Sequence, residues 1–130
     1  MSELPDLLER THAFAVASLA FYRKLPKTPD AQVLGVQYLR ASSGVDLNYR
    51  AARRGRSRAE FISKLGTVVE EADECVSCLE LLRDGQVAND EGLLSEARQL
   101  CAIFTTSLQT ARRNAPIPGR AKRSPGTRTF

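Results

Sequence analysis

The sequence predicts an all-α fold, an antiparallel up-down-up-down four-helix bundle. Four segments carry apolar or small residues at alternating spacings of three and four, the pattern of amphipathic helices. The segments are joined by connections of only a few residues, which is typical of such bundles. No run in the sequence has a strand pattern. The 130 residues are 42% hydrophobic and 26% charged, as expected of a single soluble domain.

The first helix is bounded by two prolines. Pro5 suits the first turn of a helix and Pro26 cannot continue one, so we expect this helix across about residues 5–25. Its predicted buried stripe is Leu7, Thr11, Phe14, Ser18, Phe21 and Leu25.

The second helix has a clear start and a clear end. Thr28 is its expected N-cap, and Pro29 occupies the first helical position. The helix is expected to end at residues 53–55, where the chain leaves it at Gly55. Residues 41–44 in its middle are unusually small, which favours close packing against a neighbouring helix.

The third helix begins with a capping box. The Ser57 hydroxyl can accept a hydrogen bond from the Glu60 amide while the Glu60 carboxylate reaches back, and Asp84 and Gly85 end the helix. Its stripe has the spacing of a coiled-coil-like packing face. The predicted stripe is Phe61, Leu65, Val68, Ala72, Cys75, Leu79 and Leu82.

The fourth helix follows Asn89 or Asp90, either of which can cap it, and its pattern stops at Asn114. Its predicted stripe is Leu93, Ala97, Leu100, Cys101, Phe104, Leu108 and Ala111. We therefore expect a four-helix bundle over residues 1–114. Residues 115–130 combine prolines, glycines and basic residues with little apolar surface, so they are predicted to form a flexible basic tail.

Charge is distributed unevenly along the chain. Residues 1–96 carry 12 basic and 15 acidic residues, a net charge of −3, whereas residues 97–130 carry seven basic and no acidic residues, a net charge of +7. The overall charge of +4 therefore reflects the C-terminal part. A basic tail can bind nucleic acid or an acidic membrane surface, or it can simply keep the protein soluble.

Cysteine usage and the N-terminal residues favour a soluble, cytoplasmic protein without a membrane partner. The three cysteines cannot all pair within one chain, and a domain of this size does not need disulfides. The first six residues are acidic where a secretory signal would be basic. No apolar run approaches the roughly 18 residues that a membrane span requires.

The candidate chemical groups do not favour catalysis or a cofactor. His12 is the single histidine, which excludes di-iron sites built on Glu-x-x-His pairs, and there is no nucleophile elbow or glycine-rich phosphate loop. Cys75 and Cys78 form a Cys-x-x-Cys that Cys101 can face, which suggests a metal or redox site. Closed zinc sites need four ligands, however, and Cys75 and Cys101 lie on apolar stripes, so buried inert thiols are favoured.

Four acidic residues cluster on the third helix: Glu70, Glu71, Asp73 and Glu74. Glu70 and Glu74 lie one turn apart, where paired carboxylates can bind a metal or share a proton. Because no histidine accompanies them and arginines are abundant, a solvated or salt-bridged face is the favoured interpretation. We predict no catalytic residue, no metal site and no cofactor.

The strongest signal outside the core is a cluster of five arginines within nine residues, with no acid among them: Arg50, Arg53, Arg54, Arg56 and Arg58. Arg50, Arg53 and Arg54 have the spacing of one helix face, and the other two continue the cluster across the connection. Such a patch suits backbone phosphates, with Lys64 as a further contact. Salt bridges to a neighbouring subunit or to acids of this chain are the open alternative. The candidate acids are Glu60, Glu70 and Glu71.

Several stretches of the sequence together resemble a known family. They are Arg10-Thr11-x-x-Phe14-Ala15, Gln37-x-Leu39-Arg40-Ala41-Ser42-Ser43-Gly44-Val45-x-x-Asn48-Tyr49-Arg50-Ala51, Ser57-x-x-x-Phe61-x-x-Lys64-Leu65 and Glu71-Ala72-x-Glu74-x-x-x-x-Leu79. This set resembles the 23S rRNA-intervening-sequence proteins, which are bacterial four-helix-bundle proteins. The resemblance covers about residues 7–110 and leaves out the basic tail.

The resemblance implies an assembly and a set of partners. Members of the family are similar to the accessory variability determinant protein of diversity-generating retroelements, a barrel-shaped homopentamer of four-helix bundles implicated in binding nucleic acid and a reverse transcriptase. The resemblance therefore implies a homopentamer, with RNA or DNA and a reverse transcriptase or other protein as candidate partners.

Two functional hypotheses follow. The first is a non-enzymatic, homo-oligomeric protein that binds RNA or DNA through phosphates, using the five arginines, Lys64 and the tail. The second is a scaffold or protein-interaction module that does not bind nucleic acid and uses its arginines between subunits.

Overall fold

The computed structural model describes residues 6–114 and contains four helices and no strand within that range. The helices are α1 (Leu7–Arg23), α2 (Pro29–Arg53), α3 (Arg58–Asp84) and α4 (Glu91–Asn114). Each helix packs against the next one in sequence, and α1 also contacts α4, so the four helices form a helical bundle. The prediction of an all-α fold is confirmed. The predicted tail, residues 115–130, lies outside the described residues.

The starts of α3 and α4 follow the predicted caps, whereas α1, expected across about residues 5–25, spans Leu7–Arg23. Asp6 caps α1 by accepting a hydrogen bond from the Leu8 amide at 3.0 Å. Ser57 caps α3 as predicted, because its hydroxyl accepts from the Glu60 amide at 3.0 Å. Of the two residues predicted to cap α4, Asp90 does so by accepting from the Leu93 amide at 3.0 Å.

Two caps differ in detail from the prediction. Thr28 occupies the N-cap position of α2, but its hydroxyl donates to Asp30 at 2.6 Å instead of accepting from the helix. The Glu60 carboxylate accepts from the Arg56 amide at 2.6 Å and not from the amide of Ser57, so the capping box extends one residue farther back. Both differences leave the predicted helix starts in place.

The core is built from the predicted stripes. In α1, α3 and α4 every stripe residue is buried except three, which are partly buried: Leu7, Phe61 and Cys101. Phe104 of α4 is fully buried, with its ring centroid 5.0 Å from that of Tyr49 in α2. A second aromatic contact joins Phe21 of α1 to Tyr38 of α2, with ring centroids 5.7 Å apart.

One polar pair lies inside this apolar core. The Ser18 and Tyr38 hydroxyl oxygens are 2.6 Å apart, and both residues are fully buried. Burial raises the pKa of Tyr38 well above its ordinary value, so the phenol stays protonated. Because each hydroxyl satisfies the other, the pair links α1 to α2 without leaving a buried polar group unpaired.

Gly66→Ala is expected to stabilise the protein by about 0.5–1 kcal/mol, because alanine loses less backbone entropy in a helix interior. A Cβ added at Gly66 would lie no closer than 4.0 Å to a neighbouring side chain, that of Arg112. Urea unfolding measures the effect. Gly35→Ala is the control that should show no such gain, because its Cβ would lie 2.6 Å from Leu25 Cδ1. A loss of stability in Gly66→Ala would contradict this account.

Candidate nucleic-acid interface

The fold divides the five arginines between two adjacent surfaces. Arg50, Arg53 and Arg54 belong to the end of α2, whereas Arg56 and Arg58 lie in the connection and at the first position of α3. Each group lines its own pocket. Lys64 is exposed near the start of α3 and lines neither of them.

The larger of these two pockets lies between α1 and α2 and has a volume of about 350 Å³. We call it the α1–α2 pocket. It is lined by Leu8, Glu9, His12, Arg50, Arg53 and Arg54. Three arginines of α2 and its C-cap therefore line one side of a concave site, and α1 forms the other side. Pockets of this size are at the lower end of the range that holds small ligands.

Arg50 is held in this pocket by a carboxylate beneath it. Asp46 lies one turn earlier on α2, and its side chain is only 9% exposed. Arg50 Nε donates to Asp46 Oδ1 at 3.1 Å, and Arg50 Nη2 lies 3.0 Å from His12 Nδ1. A buried carboxylate needs such partners, because an unpaired buried charge costs several kcal/mol. The ion pair with Asp46 therefore holds the Arg50 guanidinium in one orientation.

The His12 ring nitrogen has two competing partners. Nδ1 lies 3.1 Å from Asp46 Oδ2 and 3.0 Å from Arg50 Nη2. Without a proton Nδ1 can accept from Arg50, and with a proton it can donate to Asp46, but it cannot do both. The contact that His12 makes with α2 therefore depends on where its protons are.

The other two arginines of the pocket are less constrained. Arg53 Nη1 donates to the Tyr49 hydroxyl at 3.2 Å, and its guanidinium lies 5.8 Å from the Tyr49 ring centroid, within cation–π range. Arg54 is exposed. Neither forms an ion pair with an acidic side chain in the described part of the chain. Both guanidinium groups therefore present positive charge at the surface.

The smaller pocket, of about 240 Å³, surrounds the α2–α3 connection. Its lining residues are Gly55, Arg56, Ser57, Arg58 and Phe61. The Arg58 Nε atom is buried and has no hydrogen-bond partner among the described residues. The main-chain amide of Arg56 is already used by Glu60. This second surface thus adds two guanidinium groups next to the first pocket.

The local salt-bridge interpretation of the arginines applies to one residue of the five. Within residues 6–114, Arg50 alone of this cluster pairs with an acid, and that acid is Asp46. The three acids named as candidates from the sequence form no ion pair with the cluster. The structure contains one chain and leaves the intersubunit alternative as a prediction.

Two residues at the α1–α2 pocket have no role in the sequence analysis, apart from the exclusion of a di-iron site at His12. His12 lines the pocket, and Asp46 lies next to it as the partner of Arg50. Asp46 and Arg50 have the i, i+4 spacing of a helical ion pair, which was a usable signal. The contact between His12 and Asp46 joins residues 34 positions apart, and local spacing gives no sign of it.

In the acidic cluster of α3, Glu70 and Asp73 are exposed, whereas Glu71 and Glu74 are partly buried. No group of three or more His, Cys, Asp or Glu side chains in the described part of the chain is placed to hold an ion. Glu74 accepts from Gln37 Nε2 at 3.0 Å, and the Glu71 side chain crosses Gly44, where an added Cβ would lie 2.8 Å from Glu71 Cδ. Burial is the main cause that raises the pKa of Glu71, and repulsion from Glu74 and Glu70 adds to it.

Glu71→Gln is expected to stabilise the protein at pH 7 by less than about 1 kcal/mol, since solvent screens a half-exposed charge. A carboxyl group whose pKa is raised on folding contributes stability at low pH, where it is protonated. This contribution is lost as the pH rises through the pKa of the folded state. The gain from Gln should therefore disappear below about pH 4, where glutamate is protonated in both states. Urea unfolding at both pH values tests this. Glu70→Gln, an exposed control, should show a smaller gain, and a gain that persists at pH 4 would contradict the account.

The cysteines are held as thiols. Cys75 and Cys78 are buried, and Cys101 is partly buried, all three in the free form. Burial is the main cause that raises the pKa of each thiol, and for Cys75 the neighbouring Cys78 adds to it. The thiolate is the nucleophile and the metal ligand, so a raised pKa makes a cysteine less reactive than an ordinary exposed thiol.

The fold and this surface define a class: small helical-bundle proteins with an arginine-rich end and with no helix in residues 6–114 suited to crossing a bilayer. The chain belongs to the 23S rRNA-intervening sequence protein family, whose model matches residues 5–106. The resemblance noted in the sequence is thereby confirmed. The comparison with curated proteins gives no match.

A solved structure supports the same fold. The chain is similar to a protein of unknown function from the S23 ribosomal protein family of Bacteroides thetaiotaomicron VPI-5482, whose crystal structure was determined at 1.70 Å. The two are 26% identical and superpose with a TM-score of 0.72. The similarity covers 78% of this chain and 94% of that chain.

Proposed function

We propose that this protein is a non-enzymatic, cytoplasmic homopentamer of antiparallel four-helix bundles that binds RNA or DNA through backbone phosphates. The observation that carries the proposal is the charge at the α2–α3 connection. Four of the five clustered arginines form no ion pair with an acidic side chain in residues 6–114, so their charge is available to a ligand. Guanidinium groups bind phosphate oxygens through paired hydrogen bonds.

Contacts between neighbouring helices support the antiparallel arrangement. Between α1 and α2, His12 contacts Asp46 and Ser18 contacts Tyr38. Residue numbers therefore increase along α1 as those of the contacted residues on α2 decrease. The α2–α3 and α3–α4 pairs behave in the same way. Their contacts are Gln37 with Glu74, Gly44 with Glu71, Glu80 with Arg98 and Gly66 with Arg112.

The outer face of α2 supports self-association. Val33, Val36 and Leu47 are 67%, 43% and 62% exposed, and their spacing places them on one face of the helix together with Arg40. A groove of about 600 Å³ runs beside Val33 and Val36 towards Glu74 on α3. Exposed aliphatic side chains gathered on one face are typical of interaction surfaces. We propose that a second copy of this chain covers this face; the stoichiometry of five rests on the family resemblance.

Assembly would strengthen a weak basic patch. Five copies of the arginine cluster on one ring would let a single strand contact several protomers, and linked contacts raise overall affinity without any new interaction. The basic C-terminal residues would add charge from each protomer. A reverse transcriptase or another protein is a further proposed partner, suggested by the same resemblance.

The test is RNA binding measured across a salt series by fluorescence anisotropy, with wild type, Arg53→Ala/Arg54→Ala and Arg23→Ala/Lys24→Ala. The control removes two exposed positive charges from the other end of α1, about 17 Å from His12 at 1.5 Å per residue. Log affinity should fall linearly with log salt, by about 0.7 per neutralised phosphate. The Arg53/Arg54 variant should bind weakly with a shallower slope, while the control should stay near wild type. Equal wild-type affinity at low and high salt would overturn the proposal.

The scaffold function remains a second candidate because of the exposed aliphatic face of α2. Under that function, arginines between subunits hold the oligomer together. Light scattering of Arg53→Ala/Arg54→Ala separates the two candidates. An intact oligomer that has lost RNA binding supports the nucleic-acid function, and an oligomer that dissociates supports the scaffold.

A further inference from the structure

We propose that the α1–α2 pocket binds a terminal phosphate of a nucleotide, either free or at the end of an RNA or DNA strand. The inference rests on the nucleic-acid function proposed above and narrows it, because it assigns to this pocket a chain end and not a continuous backbone. Residues of the pocket would then recognise one phosphomonoester group.

The number of donors fits this group. Arg50, Arg53 and Arg54 line the pocket from consecutive turns at the end of α2. A phosphomonoester presents three terminal oxygens and a charge of about −1.5 to −2, whereas a backbone phosphodiester presents two free oxygens and a single charge. Three arginine side chains at one concave site therefore match the charge of the monoester better.

The opposite wall disfavours a continuous strand. Glu9, exposed on α1, faces the same pocket as the three arginines. Its carboxylate repels a second phosphate, yet it can accept hydrogen bonds from ribose hydroxyl groups. Leu8 beside it offers an apolar contact for the nucleoside. A strand that ends in the pocket avoids the repulsion that a strand passing through it would meet.

Asp46 and His12 act as positioning residues for Arg50. Asp46 is buried beneath the pocket and orients Arg50 through a 3.1 Å hydrogen bond. His12 Nδ1 lies 3.1 Å from Asp46 Oδ2 and 3.0 Å from Arg50 Nη2, so the ring is placed against the Asp46–Arg50 ion pair at the edge of the pocket.

The experiment compares RNAs of one sequence and about 12 nucleotides, within the usual size of single-strand sites. Each is labelled internally and carries a 5′-phosphate, a 3′-phosphate or only hydroxyl ends, and adenosine monophosphate is tested as a competitor. We expect one phosphorylated end to bind about tenfold more tightly than the hydroxyl RNA, the equivalent of one charge-assisted hydrogen bond. The arms show whether the 5′ end, the 3′ end or the free nucleotide is preferred.

Three variants assign the preference to the pocket. Arg53→Ala/Arg54→Ala should abolish it and Arg23→Ala/Lys24→Ala should retain it, with circular dichroism to verify folding. Glu9→Gln, an exposed change, removes a negative charge from the pocket, so it should raise the affinity of the phosphorylated RNA at least as much as that of the hydroxyl RNA and keep the preference.

The outcomes separate this inference from the function on which it rests. Equal affinity for all three RNAs, without competition by the nucleotide, would overturn the terminal-phosphate site and leave salt-dependent nucleic-acid binding standing. Binding of the nucleotide without binding of any RNA would support the pocket and overturn the nucleic-acid function. No binding of RNA or nucleotide would overturn both.

Discussion

Phe104→Ala is expected to reduce the free energy of unfolding by about 3–5 kcal/mol, the usual cost of removing a buried aromatic ring. Phe104 is fully buried in α4, and its ring packs against that of Tyr49 in α2. Removing it leaves a cavity between these helices and ends an aromatic contact. Because small domains are stable by only about 5–15 kcal/mol, this one change would remove a large share of the total.

Urea unfolding followed by circular dichroism measures this loss. Phe104→Leu is the matched control, because leucine retains much of the apolar volume and should cost clearly less. Tyr49→Phe keeps the facing ring and removes only the hydroxyl that accepts from Arg53. A loss below about 1 kcal/mol in Phe104→Ala would contradict the assignment of Phe104 to the centre of the core.

Val36→Glu/Leu47→Glu is expected to convert the proposed homopentamer into single chains. Both side chains are substantially exposed and lie on the outer face of α2, so a monomer tolerates the charges. In an assembly that covers this face, each interface would have to bury two unpaired carboxylates, which is strongly unfavourable. In the proposed ring the effect would multiply, because every contact between copies would carry the same two charges.

Light scattering measures the mass of this variant against wild type. Ala102→Glu/Gln109→Glu is the matched control, since it places two new carboxylates at exposed positions of α4. The control should keep the wild-type mass. An unchanged mass in Val36→Glu/Leu47→Glu would contradict the proposal that a second copy covers this face of α2.

The fold was predictable because the signals that specify it are local. Stripes of apolar residues and the Ser57 cap act within one or two helical turns, so the sequence displays them directly. The Thr28 hydroxyl does not accept a hydrogen bond from α2, because it donates to Asp30, two residues later. Such competition between short polar side chains is decided by small geometric differences that residue types do not display.

The candidate site was only partly predictable. The arginine cluster is a compositional feature and was found, but its division into two pockets depends on how the chain turns at Gly55. The roles of His12 and Asp46 depend on α1 packing beside α2, and such a contact has no local pattern. The missing information was the register of α1 against α2, which brings His12 to Asp46 and Ser18 to Tyr38.

The most direct test of the account is the mass of the protein by size-exclusion chromatography with light scattering, with and without a short structured RNA, across a salt series. The account predicts about five times the 14.3 kDa chain mass, an increase when RNA is present at low salt, and a return to the protein mass at high salt. A mass that does not change with RNA at low salt would contradict the claim that the arginine cluster binds phosphates.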